Sequence, residues 1–174
     1  GDAGWTFDES EGSTGDPLNG ARTLADIYRL ADSRFTGRVT VPVLWDKAQK
    51  KRLGFGDLFR PGADLSALDK ALCDAANAAK QARSPGSERA TLDGKMWTCP
   101  KAVATPFVLA PGQTPGQAGG VTFLIGAYQI GPYSDGYYWV TVPQAAFRSL
   151  LTPAYADQFG GAPAKAGDVT PRNG

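Results

Sequence analysis

The sequence predicts an α+β fold: an antiparallel sheet packed by one long helix and one or two shorter ones. Three observations carry this. The stretch from Ser66 to Arg83 follows Leu65 with Leu68, Leu72, Ala76 and Ala79 at helical spacing. Apolar residues alternate or run together, as in strands, at 38–45, 121–128 and 137–142. The connections between the later strands are of hairpin length, which favours antiparallel pairing over crossovers.

Taken in order, residues 1–20 are rich in Gly, Asp, Ser and Thr, a loop composition. Leu24, Ile27, Tyr28 and Ala31 give a short helix over 23–30, and 32–37 turns the chain. Val39, Val41, Val43 and Trp45 share one face of a strand. Pro42 inside it donates nothing to a ladder, so it marks an edge, a bulge or a cis bond. A polar turn at 46–51 leads to a second strand at Leu53 and Phe55, with Leu58 and Phe59 packing inward. The long helix starts with Ser66 and Asp69 at capping-box spacing and stops at Ser84-Pro85-Gly86. Short strands follow at 95–100 and 106–110, and a flexible turn at 113–120 contains Gly119-Gly120. Pro143 suits the first turn of a helix reaching Leu151, Thr152-Pro153 breaks it, and 154–159 adds a turn. Residues 1–37 form an N-terminal extension or partial segment, 38–160 the α+β domain, and 161–174 a flexible tail.

Composition narrows the chemistry. With 42% hydrophobic and 20% charged residues, the 174-residue chain suits a globular protein rather than a disordered one. A net charge of +1 with both signs interspersed offers no stripe for nucleic acid. No apolar run reaches the roughly 18 residues of a membrane span. The absence of histidine rules out Ser-His-Asp and Cys-His catalysis and His-containing zinc sites. Cys73 and Cys99 are the two thiols. In an exported protein they pair across about 27 residues, which the chain-entropy model values at roughly 3–4 kcal/mol. In a cytosolic one they are two buried thiols.

Two resemblances cover different parts of the chain. Leu44-Trp45-Asp46-Lys47, Arg52-Leu53-Gly54-Phe55-Gly56-Asp57-Leu58-Phe59, Leu72-Cys73, Trp97-Thr98-Cys99-Pro100, Ala127-Tyr128-Gln129-Ile130-Gly131-Pro132-Tyr133-Ser134-Asp135-Gly136 and Val140-Thr141-Val142-Pro143 occur in that order. Over about 43–160 the chain thereby resembles the extracytoplasmic domain of unknown function in lysozyme-sensing anti-sigma factors and periplasmic lipoproteins. Phe35-Thr36-Gly37-Arg38 stands where many members have a Gly-Gly-Ala-His loop. Gly4-Trp5-Thr6-Phe7-Asp8, Thr14-Gly15-Asp16, residues 24–28 and Gly37-Arg38-Val39-Thr40-Val41-Pro42-Val43-Leu44-Trp45-Asp46-Lys47 instead resemble glutathionyl-hydroquinone reductases, the xi-type glutathione transferases. That resemblance implies a glutathione site at Trp5, Arg38, Val39, Thr40, Val41 and Pro42, with Val41-Pro42 as the cis bond of a thioredoxin-like half. It also departs from the family. Neither cysteine stands in a Cys-Pro-Trp-Ala segment, and Lys50-Lys51-Arg52-Leu53 replaces the Glu-Ser pair expected after Lys47.

The first resemblance implies a non-catalytic binding domain with no cofactor, periplasmic or otherwise extracytoplasmic and lipid-anchored through a removed N-terminus. A Cys73–Cys99 disulfide would brace it. Its partner would be a protein or glycan outside the cytoplasm, lysozyme or a cell-wall saccharide. The candidate site is Tyr128, Pro132, Tyr133, Asp135, Tyr137 and Tyr138. Strand alternation sends Tyr137 and Tyr138 to opposite faces, and exposed tyrosines beside Gly, Ser and Asp suit adaptable recognition. The alternatives are a composite or relic of a glutathione-dependent reductase, with glutathione as cofactor, and a structural envelope protein with an apolar patch over 23–30.

Overall fold

The computed structural model describes residues 22, 23, 26, 29, 44–46 and 50–171. The chain divides into two compact units, Gly1–Leu53 and Gly54–Gly174. The expectations placed on residues 1–21 and 31–43, including Trp5, Arg38, Val39, Thr40, Val41 and Pro42, lie outside the described residues.

In the first unit Asp26 and Arg29 are helical. The backbone N–H of Thr23 donates to Asp26 Oδ2 at 2.9 Å, and that of Asp26 donates to Thr23 Oγ1 at 3.1 Å. This reciprocal pair satisfies donors that a helix start leaves unpaired. Strands β1 (Leu44–Asp46) and β2 (Lys51–Leu53) form an antiparallel hairpin in the register Leu44 with Leu53, Trp45 with Arg52 and Asp46 with Lys51. Lys50 turns it with a φ of 51°.

The second unit is α+β, as the sequence predicts. Its four-stranded antiparallel sheet has the order β3 (Phe107–Pro111), β4 (Ala118–Ile125), β5 (Tyr138–Pro143), β6 (Gly167–Asp168). Helix α1 (Ser66–Arg83) has the predicted bounds and lies along β5 and β6. Its start differs from the capping box read from Ser66 and Asp69. Asp64 Oδ1 accepts the Ser66 N–H at 2.9 Å, while Asp69 Oδ1 accepts the Ala102 N–H at 2.8 Å and Oδ2 pairs with Lys101 at 3.1 Å. Asp69 thus ties the helix to a distant loop instead of capping it.

The core is built from one face of the sheet. Val121 faces Val142, Phe123 faces Val140 and Ile125 faces Tyr138 across β4 and β5, all buried. Leu68, Leu72 and Ala76 of α1 are fully buried as well. Phe55, expected in a strand, instead begins a 3₁₀ turn over Phe55–Leu58 and enters an aromatic cluster. Its ring lies 5.0 Å from Phe59, 4.8 Å from Phe107 and 5.3 Å from Phe123, with Phe147 at 6.3 Å. Three of these pairs are edge-on and the one with Phe107 is tilted, arrangements that add to the apolar burial itself. On the opposite face the hydroxyls of Thr122 and Thr141 bond at 2.8 Å, which removes two buried polar groups at once.

Four further expectations are corrected. Gly119 and Gly120 are not a flexible turn but open β4, buried. A Cβ on Gly119 would lie 2.4 Å from the backbone of Ala162 and Pro163, and one on Gly120 2.3 Å from the Val142 carbonyl oxygen. Glycine is there because neighbouring backbone comes too close for any side chain. Residues 144–151 do not form a helix from Pro143. Pro143 closes β5, and Phe147, at φ −144°, splits the segment into 3₁₀ turns at Gln144–Ala146 and Arg148–Leu150. That break lets Phe147 and Leu151 both reach the interior. Residues 161–171 are not a loose tail. Ala164 N–H donates to the Pro111 carbonyl at 2.8 Å, and β6 pairs with β5 through Val140 with Asp168 and Thr141 with Gly167. Residues 95–100 hold an isolated bridge, Thr91 with Thr98, rather than a strand.

Candidate functional site

The aromatic loop joins β4 to β5 across residues 126–137. Its path is set by local chemistry. Asp135 N–H donates to the Pro132 carbonyl and Gly136 N–H to that of Tyr133, both at 3.0 Å, closing a 3₁₀ turn at Tyr133–Asp135. Gly136 then takes φ +70°, open to glycine at little cost. Tyr128 adopts φ +69°, a region that side chains other than glycine, Asn and Asp rarely occupy.

Two cations on the last turns of α1 hold this loop, and neither was singled out in the sequence. Lys80 and Arg83 are three residues apart and therefore neighbours on one helix face. They sit where the helix dipole favours positive charge. Lys80 is 1% exposed. Its Nζ donates to the Glu88 carbonyl at 2.5 Å and the Ile130 carbonyl at 2.6 Å, and lies 5.2 Å from the centre of the Trp97 ring. A buried ammonium needs such partners in place of water. Arg83 donates to the Asp168 carboxylate through Nε at 3.0 Å and Nη2 at 2.8 and 2.9 Å. Its Nη2 also bonds the Thr170 hydroxyl. Its Nη1 reaches the Tyr137 carbonyl at 2.8 Å, and its guanidinium lies 4.1 Å from the Tyr138 ring centre. One arginine thereby ties β6, the loop and β5 to the helix, using the planar fork that suits carboxylates.

The tyrosines separate by face. Tyr133 is 78% exposed, Tyr128 68% and Tyr137 44%, whereas Tyr138 is 1% exposed. Pro132 is exposed beside Tyr133. Tyr138 therefore does not belong to a binding surface. Its ring fills the core and its hydroxyl donates to Asp135 Oδ2 at 3.2 Å. Asp135, partly buried and committed to this bond, shapes the loop rather than presenting an acid. Its Oδ2 also lies 2.5 Å from where a Cβ on Gly131 would sit, so that glycine is required. Trp97 meets Tyr128 edge to face at 5.6 Å, and Tyr137 lies 6.1 Å from Trp139.

The site's electrostatics follow from these contacts. Burial, then the neighbouring Asp135 carboxylate, pushes the Tyr138 phenol from 10.0 up to about 12. A spectroscopic alkaline titration should show a tyrosine that ionises only at about pH 12, absent in Tyr138→Phe. Because the phenol is held neutral, its contribution to stability is fully present below the unfolded value near 10 and is lost as pH rises through about 12. Burial also acts to raise the Asp168 carboxyl, but hydrogen bonds from Thr170 and the Arg83 pair outweigh it and hold it below its ordinary value.

Cys73 and Cys99 form a disulfide with Cα atoms 5.2 Å apart, as expected. It joins the middle of α1 to the segment carrying Trp97. Beside it Asn77 donates to the carbonyls of Cys73 at 3.0 Å and Ala90 at 2.8 Å, and accepts the Ala90 N–H at 2.9 Å. Among the described residues no group of three or more His, Cys, Asp or Glu could hold a metal, and no helix is long and apolar enough to cross a membrane.

The chain is similar in part to three curated proteins. It is 47% identical over 53 residues to glutathionyl-hydroquinone reductase PcpF of Sphingobium chlorophenolicum, covering 30% of this chain and 17% of that protein. It is 58% identical over 45 residues to glutathionyl-hydroquinone reductase YqjG of Escherichia coli K12, covering 25% and 14%. It is 51% identical over 43 residues to the glutathione S-transferase omega-like 2 of Schizosaccharomyces pombe, again 25% and 14%. The chain thus spans less than a fifth of the relatives it matches. No protein-family model matches it, and no solved structure does.

Proposed function

We propose that this chain is a composite: a piece of a glutathione-dependent reductase followed by a disulfide-braced α+β unit that binds rather than catalyses. The observation that carries the first half is the likeness to the reductases, at 47–58% identity over 45–53 residues. The resemblance read in residues 1–47 is to the same reductases, and there Trp5, Arg38, Val39, Thr40, Val41 and Pro42 would form one edge of a glutathione site. Complete reductase chemistry needs a nucleophilic thiol, and both cysteines of this chain are joined to each other. Trp5 and residues 38–42 are therefore read as the glutathione-binding edge and not as the nucleophile. Retention on glutathione-agarose that falls at least tenfold in Trp5→Ala and Arg38→Ala supports this half. Retention indifferent to both changes removes it.

The second half rests on the aromatic loop. Tyr128, Tyr133 and Tyr137 are exposed on a loop fixed by the buried Lys80 and the half-buried Arg83, so binding would cost little ordering. Rigid tyrosines supply contact area at low entropy. The disulfide favours an oxidising, extracytoplasmic setting. With the resemblance to lysozyme-sensing domains, the ligand is a protein or glycan of that setting, lysozyme first. Calorimetry with lysozyme and with soluble peptidoglycan fragments tests it. Tyr133→Ala and Tyr137→Ala should each weaken binding about tenfold or more while leaving stability within about 0.5 kcal/mol. No binding to either ligand, or binding that neither change affects, sinks this half.

A further inference from the structure

We infer that the Cys73–Cys99 disulfide is a thiol-exchange site whose substrate is a small thiol of the glutathione kind, and that its reduction releases the segment bracing the aromatic loop. Residues 84–100 connect α1 to Cys99 with no strand among them. Besides the cross-link, the segment is held by Asn77 on Ala90, Lys80 on Glu88, Gln81 on Ser87, and by Trp97, which lies under the Lys80 ammonium and meets Tyr128 edge to face. Met96 is 69% exposed and Leu92 and Arg89 also face solvent, so little apolar burial opposes local opening. The α1–sheet core lies elsewhere and does not depend on this segment's rings.

The exchange balances without any further oxidant. Both cysteines are buried, Cys73 at 7% and Cys99 at 3% exposure, so attack of the incoming thiolate, assigned to Cys73 Sγ, waits on local opening of the segment. The S–S bond breaks, and its electron pair leaves on Cys99 Sγ. Asn77 Nδ2 lies 3.6 Å from Cys73 Sγ and 3.9 Å from Cys99 Sγ, so the N–H that opening frees from the Ala90 carbonyl can turn to a thiolate formed there. A hydrogen-bonded thiolate leaves more readily. A second small thiol resolves the mixed disulfide. Two small thiols thereby become one small-molecule disulfide, and their two protons end on Cys73 and Cys99. With the segment free, Trp97 withdraws from Lys80 and Tyr128, and the Glu88 carbonyl no longer fixes Lys80. Ligand binding through the tyrosines would then follow the thiol balance of the surroundings.

The choice of glutathione as the thiol rests on the composite reading, whereas the latch itself does not. The test treats the folded full chain with millimolar glutathione or, separately, with dithiothreitol. Trypsin cleavage after Arg89 and Lys95 is then followed with Trp97-sensitive fluorescence, hydrogen exchange of α1 and mass mapping of adducts. Expected with both reagents is a rise in cleavage of at least tenfold while α1 keeps its protection, with glutathione trapped on Cys73. The Cys73→Ser/Cys99→Ser pair should show the same cleavage without reagent. Unfolding of α1 together with the segment would make the disulfide a plain structural brace and overturn the proposal. So would a disulfide inert to both reagents in the folded protein. Opening by dithiothreitol but not glutathione overturns the stated thiol, leaving glutathione-agarose retention to judge the composite independently.

Discussion

Lys80→Met should destabilise the second unit by about 2–4 kcal/mol, although methionine keeps the length and adds apolar surface. The loss comes from the acceptors left behind. The carbonyls of Glu88 and Ile130 have the ammonium as partner at 2.5 and 2.6 Å, and a thioether donates nothing to them. Trp97 also loses the charge over its face. The damage should be local as well as global. Urea denaturation reports the total, and hydrogen exchange should show the amides of 126–137 losing protection before those of β4. A change under 1 kcal/mol would mean that Lys80 is a passive filler and the loop is held by its own turns.

Arg83→Ala should cost a similar 2–4 kcal/mol, with coupling to Asp168 of about 1–2 kcal/mol in a double-mutant cycle with Asp168→Asn. The pair is only partly exposed, at 21% and 15%, so solvent screens it less than a surface bridge. Its pH dependence has a definite sign. The Asp168 carboxyl is held below its ordinary value, so its contribution is present above the unfolded value near 3.9 and lost as pH falls through the folded one. Wild type and Arg83→Ala should therefore converge in stability as the solution is acidified below about pH 4. Parallel curves across that range would assign the effect of Arg83 to its packing on Tyr138.

Why these two residues escaped the sequence, while α1 did not, is a matter of range. The bounds of α1 are local facts: an apolar stripe of period 3.6 that ends at Ser84-Pro85-Gly86. The opposite faces of Tyr137 and Tyr138 are local too, since a strand alternates whatever it packs against. Arg83 and Asp168 are 85 residues apart, and no periodicity links them. The nearest signal was the pair of basic residues closing the helix, which suits its dipole but names no partner. Gly119 and Gly120 misled for the same reason. Glycine marks either freedom or crowding, and only the nearness of Ala162, Pro163 and Val142 decides between them. Residues 144–151 have helix-forming composition, but the places in the interior for Phe147 and Leu151 override it. The glutathione expectation was legible purely as likeness, in residues that lie outside those described.

Phe55 stands two positions after the boundary at Leu53. Phe59, Phe107, Phe123 and Phe147, which surround it, all come later in the chain, as do both ends of the cross-link. The piece from Gly54 onward thus carries its keystone at its own leading edge. The aromatic cluster and the cross-link are therefore both written within one continuous stretch of chain, which is what a transplantable module requires.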